Sequence, residues 1–265
     1  MQPGLRLAGT PVLTYHGLAS QEIEAGRSRS RFWVSRAQFE SQLQEICQAG
    51  LAVKLLRKLR PSDGTREEKV PAVVLTFDDG RVSDYEVAYP ILARAQMRAE
   101  FFLNTANVGK PGFLSWEQIK EMQAAGMSFQ SHGHEHVDLR CLSSVELRRQ
   151  LHDSKRILED HLQCSVHFLA VPYGCVNSKV LFEARAAGYR AVCTSRFWPA
   201  RLDADSINRV PIYGHTTLPE FRTLLACSPL FYCKQAIRCA LKYLPKRLLM
   251  RFCPERVEAW RMQHE

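Results

Sequence analysis

The chain has 265 residues, 46% of them hydrophobic, enough for one large α/β domain or two small ones and too many for wholesale disorder. A formal charge of +9 points to an anionic partner or surface. The nine cysteines are odd in number and include no C-x-x-C pair, which excludes zinc-finger spacing and predicts reduced thiols in the cytosol. The opening stretch lacks an apolar run of signal-peptide length, and no run approaches the roughly 18 apolar residues of a membrane span. The expectation is a cytoplasmic protein.

In chain order, "PVLTYHG" (11–17) reads as a short buried strand, and the polar residues 20–31, with Arg27, Arg29 and Arg31, as an exposed loop. "SRAQFESQLQEICQAG" (35–50) has a Ser N-cap with Gln38 three residues on, then Phe39, Leu43 and Ile46 at helical spacing, and Gly50 as the stop. A loop over 61–69 precedes the strand "VVLTF". Alternation follows: a helix near 84–96, a strand at 99–105, a helix at 115–126 and a strand tip in "MSFQSH". Next come a long amphipathic helix at 143–162, a strand and turn at 166–174, a helix at 178–188 and the strand "YRAVCTS". "NRVPIYGH" (208–215) ends the series, with a helix near 217–226. Strands separated by helices of this length imply βαβ units and a parallel sheet. About seven such units close most naturally into a barrel, whose chemistry sits at the C-terminal ends of the strands. His16, Asp78, Asp79, His132, Pro172, Tyr173 and His215 all fall just after predicted strands.

"VVLTFDDGR" (73–81) ends an apolar run on two adjacent carboxylates. Asp-Gly is a common turn dipeptide, yet two like charges side by side raise one pKa unless a cation or solvent intervenes. "QSHGHEHVDL" (130–139) holds three histidines within five residues. His132 and His136, four apart, can aim both rings at one ion. A carboxylate from the aspartate pair would complete a triad with open positions, as catalytic zinc requires, and would leave the other aspartate free as a base.

"TFDDG", then "SHGHEH", then "PYG", resembles the polysaccharide deacetylases, carbohydrate esterase family four, with the NodB homology domain. The likeness extends through "FFLNTANVGKPGFLSWEQIKEMQAAGMSFQSHGHEHVDL" and covers roughly 10–226. It implies a deformed (β/α)7-8 barrel of parallel strands. It implies Asp78 as general base, and Asp79, His132 and His136 as ligands of one divalent ion, most simply Zn2+. An oxyanion donor would come from the "PYG" turn at Pro172 and Tyr173. His134 and Glu135 would line the loop without binding metal. The chain departs from the family where Arg-x-Pro-Tyr is usual: it reads "AVPY", with Ala170 in place of the Arg that orients the base. The late leucine-x-histidine motif is not clean either, "IYGHTT" offering His215. A subgroup of exopolysaccharide deacetylases also lacks that Arg and carries an early Tyr-His strand, matched here by "LTYHG". The resemblance to that subgroup implies His16 as general acid, with His215 second. Asp84 and Trp198 are weaker substrate-contact candidates, a packing role being favoured for each.

The expected organisation is a barrel over 1–227 and a basic amphipathic helical tail over 228–265. In the tail, Lys234, Arg238, Lys242 and Lys246 step by four beside Leu230, Ile237, Leu241, Leu244, Leu248 and Leu249. Pro245 kinks or splits it. Such a helix suits an anionic membrane; packing on the barrel is the alternative, and no groove-reading motif supports nucleic acid. The expected function is metal-dependent removal of acetyl groups from an N-acetylated glycan or glycan precursor. The alternatives are a related C–N hydrolase, acting as an amidase or deformylase on a small molecule or nucleotide sugar, and a non-catalytic glycan-binding relic suggested by the missing Arg.

Overall fold

The computed structural model describes residues 6–20, 31–59 and 71–238. The loop assigned to 61–69, Arg27 and Arg29, and the tail positions beyond Arg238, among them Leu241, Lys242, Leu244, Pro245, Lys246, Leu248 and Leu249, lie outside the described residues.

Eleven strands are described: β1 (Val12–Tyr15), β2 (Gly17–Ala19), β3 (Trp33–Ser35), β4 (Ala52–Val53), β5 (Ala72–Asp79), β6 (Glu100–Leu103), β7 (Ser128–Ser131), β8 (Phe168–Ala170), β9 (Ala191–Thr194), β10 (Ser206–Asn208) and β11 (Val210–Pro211). Eight of them run β10-β9-β8-β7-β6-β5-β1-β11 around one sheet, with β4 beside β5. All of these pairings are parallel. β10 and β11 stand at opposite ends of this order, yet only Arg209 separates them in the chain. The sheet is therefore nearly closed into a barrel, and Arg209 is its seam.

Helices surround it: α1 (Arg36–Gln48), α2 (Leu56–Leu59), α3 (Tyr89–Arg94), α4 (Trp116–Ala124), α5 (Ser144–Leu162), α6 (Ser178–Ala186) and α7 (Leu218–Leu225). Ser35, Ser115, Ser143, Asn177 and Thr217 cap five of them by accepting an early backbone N–H, which satisfies donors that have no intrahelical partner. A further helix, α8, covers 229–238. Among the described residues no helix is long and apolar enough to cross a membrane.

Several elements differ from their sequence reading. The strand expected over 11–17 breaks at His16, because Gly17 runs under the Trp33 ring and starts a separate parallel pair, β2–β3. The helix expected over 84–96 opens with a π turn at Asp84–Ala88. The strand over 166–174 stops at Ala170, where Pro172–Gly174 forms a 3-10 turn. "NRVPIYGH" is not one strand: β10 ends at Asn208, and β11 begins after the seam residue.

Strand alternation divides the core into two shells. Val73, Leu75 and Phe77 of β5 join Leu13, Phe101, Phe129, Leu169 and the buried helix faces in the outer shell. Val12, Val74, Phe102, Phe168, Ala170 and Cys193 form a smaller cluster in the barrel interior. Thr76 and Asp78 continue the Val74 series along the inward side of β5. Phe77, Phe101 and Phe129 stack on successive strands at 4.9 and 5.5 Å between ring centroids. Phe101→Ala removes the middle ring of a fully buried file and should cost about 3 to 5 kcal/mol, measured by urea unfolding followed by circular dichroism.

Candidate catalytic and metal site

The two aspartates at the end of β5 serve different neighbours. Asp78, the last inward residue of β5, is buried and accepts two hydrogen bonds from Arg209, Nη1 to Oδ1 at 2.6 Å and Nη2 to Oδ2 at 2.7 Å. Strand alternation would aim Asp79 at the opposite side. Its backbone leaves the extended region instead, with φ of 77°, a conformation that costs a non-glycine residue roughly 1 to 3 kcal/mol. Gly80 follows with φ of 68°, where an added Cβ would stand 2.6 Å from Leu103 Cδ2. This turn brings Asp79 Oδ1 to 3.6 Å from His132 Nε2 and 3.7 Å from His136 Nε2. The other carboxylate oxygen, Oδ2, meets Arg81 at 3.1 Å.

Asp79, His132 and His136 each offer one ligand atom, and these atoms lie within 4.8 Å of one another. Asp79 Oδ1 is buried without a hydrogen-bond partner, an expensive state that a bound cation relieves. The spacing is close to the roughly 3.4 Å edge of a tetrahedron built from bonds of about 2.1 Å. His132 is anchored from behind: its Nδ1 lies 2.8 Å from the Ala170 carbonyl. A carbonyl only accepts, so Nδ1 carries the proton and Nε2 keeps its lone pair for a metal. The residues thus fit a divalent ion. His134 turns away to Thr105, and Glu135 pairs with Gln150.

His16 Nε2 stands 3.9 Å from Asp78 Oδ2. Burial lowers its pKa more than the Asp78 and Asp79 charges raise it, and the Arg209 charge adds to the lowering. The ring is therefore neutral at rest near pH 7. Burial alone would raise the Asp78 pKa. The Arg209 guanidinium, helped by His132 and His16, outweighs it and holds the carboxylate well below the usual range. His215 occupies an exposed turn at the outer end of a file of rings, His16–Phe32–Tyr213–His215, with centroids 4.7, 5.5 and 5.3 Å apart. Pro172 is buried. Tyr173 has φ of 61° and sets its ring edge-on to His136 at 4.8 Å, which brings the turn to the rim of the site. Asp84 is fully buried, and Trp198 packs on Tyr232.

Arg209 is the residue that motif reading missed. It is fully buried, and its guanidinium also lies over the Phe102 ring at 5.0 Å. The available signal was a lone arginine inside the apolar run "INRVPI", where a strand buried on both sides requires a partner for the charge.

A sequence profile for polysaccharide deacetylase matches residues 65–192. The chain is 29% identical over 191 residues to YxkH of Bacillus subtilis, spanning 71% of this chain and 65% of that one. It is 28% identical over 190 residues to the poly-beta-1,6-N-acetyl-D-glucosamine N-deacetylase of Staphylococcus aureus, spanning 66% of this chain and 63% of the relative. The chain thus covers slightly less than two thirds of either curated relative. Among solved structures, the Streptococcus pyogenes deacetylase PplD in complex with acetate superposes with a TM-score of 0.75 at 29% identity, covering 84% of this chain and 99% of that one. IcaB from Ammonifex degensii superposes with 0.71 at 26% identity, covering 84% and 98%.

Replacing Arg209 leaves Asp78 as a buried, uncompensated charge. Arg209→Met should lower stability at pH 7 by about 3 to 5 kcal/mol. The wild-type pair depresses the folded pKa of Asp78, so its contribution is full above the unfolded pKa and fades as pH falls through the folded one. In the variant Asp78 protonates more readily, so the deficit should shrink as pH is lowered from 7 towards 4. Urea unfolding of both proteins across that range checks it, and a pH-independent deficit would contradict the pairing.

Proposed function

Because the chain belongs to the polysaccharide deacetylase family, we propose that it is a metal-dependent hydrolase that removes acetyl groups from N-acetylated sugars of a polysaccharide, oligosaccharide or glycan precursor. The observation that carries this reading is the close set Asp79, His132 and His136 standing beside an Asp78 already bound to Arg209 and within reach of His16. The name of the Staphylococcus aureus relative supports an N-acetylglucosamine polymer as the substrate. The N2O donor set supports zinc.

Asp79, His132 and His136 would hold the ion. A bound divalent ion would polarise the acetyl carbonyl and make water more acidic. Asp78 takes the proton from the attacking water. Its low basicity suits a water already acidified, and the Arg209 fork keeps one lone-pair direction of the carboxylate aimed at the site. His16, neutral at rest, accepts that proton from Asp78 and delivers it to the sugar nitrogen as the C–N bond breaks. The balance is one water and one acetamide in, one acetate and one amine out, with Asp78 and His16 restored. The backbone N–H of Tyr173, whose ring packs on His136, would serve as the donor to the developing oxyanion. His215, in an exposed turn at the outer end of the ring file, stands second to His16 as the candidate acid. We also place the protein in the cytoplasm, on the strength of five exposed free thiols at Cys47, Cys141, Cys164, Cys175 and Cys233; cell fractionation tests that.

Mass spectrometry of the purified protein should find about one divalent ion per chain, lost in His132→Ala. Acetate release from β-1,6-linked N-acetylglucosamine oligomers should fall about 100- to 10,000-fold in Asp78→Asn and in His16→Ala with the metal retained. Metal in the wild type but no acetate release from that or any N-acetylated oligomer would defeat the proposal in favour of another C–N substrate or of a binding role.

A further inference from the structure

The helix α8 presents an unusual outer face. Its inner side is anchored: Tyr232 is fully buried, donates its hydroxyl to the Leu224 carbonyl, and packs against Phe197 and Trp198. Phe231 packs on Phe197 beside it. The outer side carries Leu230, Lys234, Ile237 and Arg238, at spacings of four, seven and eight residues, so all four share one helical face. Leu230 and Ile237 are 81% and 60% exposed, and they account for two of the five large hydrophobic side chains exposed among the described residues. Lys234 and Arg238 are exposed between and beside them.

A solvated helix would place polar residues at 230 and 237, and a helix buried against protein would not carry two ammonium- or guanidinium-bearing chains on the same stripe. Apolar residues flanked by Lys and Arg suit a surface that is greasy beneath and anionic on top. The sequence continues the theme: from Ser228 to Pro254 it contains six Lys or Arg and no Asp or Glu. We propose that this face docks on an anionic lipid bilayer, with Leu230 and Ile237 entering the acyl boundary and Lys234 and Arg238 meeting lipid phosphates.

The position of the helix adds a consequence. Cys227, just ahead of it, accepts a hydrogen bond from the amide of Leu7, which precedes β1. The helix therefore starts at the N-terminal end of the strands, whereas Asp79 and His132 lie at their C-terminal ends. Docked there, the protein turns the Asp78–His132 mouth towards the aqueous side. The docking itself is independent of the hydrolase reading; only this orientation of a substrate path rests on it.

The test is flotation of the full chain with vesicles of phosphatidylcholine alone or mixed with phosphatidylglycerol. The expected result is binding to the anionic vesicles, weakened by high salt. The double substitution Leu230→Asn with Ile237→Asn should lower the bound fraction about tenfold, and Lys234→Glu should steepen the loss. Both changes lie on exposed positions, so an unaltered melting temperature confirms that each variant folds. No binding to anionic vesicles, or equal binding by the double variant, overturns the proposal. A dimer in solution that the double variant dissociates also overturns it, since a second copy would then be what covers the face.

Discussion

The Arg209–Asp78 pair is the interaction on which both the barrel and its site depend. β10 and β11 lie at the two ends of the sheet order, and one residue joins them. The side chain of that residue crosses the interior to the last inward position of β5. Thr76 lies one step below, within 3.4 Å of Nη1 and hydrogen-bonded to Thr14. The guanidinium thus links the seam to the central strand through a column of polar groups set in an otherwise apolar interior. Burying two such charges is costly, and a bidentate fork with each oxygen engaged is the geometry that offsets the desolvation. The pair is weak evidence for net stability, but it fixes which strands face each other and where the carboxylate sits.

The same pair explains how adjacent aspartates can share one strand end. Asp78 is neutralised from inside the barrel. Asp79, twisted out of the extended conformation, is released to the two histidines and Arg81. One backbone torsion separates the carboxylate bound to Arg209 from the one turned towards His132 and His136. Gly80 then lets the chain turn against Leu103, which a side chain at that position would block. The strain at Asp79 and the positive φ at Tyr173 stand at the two rims of one site. Such outliers persist only where the surrounding structure holds them.

Much of this was legible in the sequence because it is local. Capping residues and helical periodicity located the helices to within a few residues, as with Ser35, whose side chain accepts from the Gln38 amide at the start of α1. The run "VVLTFDD" announced a buried strand with charges at its end. What the sequence hid was non-local. The split of "NRVPIYGH" depends on barrel closure, since a continuous strand there could not join opposite edges of the sheet. The π turn at Asp84 and the separate β2–β3 pair reflect packing across distant segments, with Ser83 accepting from the amide of Leu18. The grouping of His16 with Asp78 arises from the β1–β5 register, in which Tyr15 lies beside Phe77. No periodicity encodes a register between segments 60 residues apart.

Ala170 shows why a motif gap is poor evidence of lost chemistry. A motif records where a side chain sits in the chain, whereas a reaction depends on where its charge sits in space. Ala170 cannot hold a carboxylate, but its carbonyl orients His132, a task that needs backbone alone. The guanidinium that "AVPY" lacks arrives from the barrel seam 39 residues later, through the opposite wall. With Arg209 in place, the missing arginine at 170 does not leave Asp78 without a guanidinium partner. Asp78 is held through both carboxylate oxygens by Arg209. The relocation also ties the electrostatics of the site to closure of the barrel, so that a chain which fails to bring β10 and β11 together has neither a complete sheet nor a compensated Asp78.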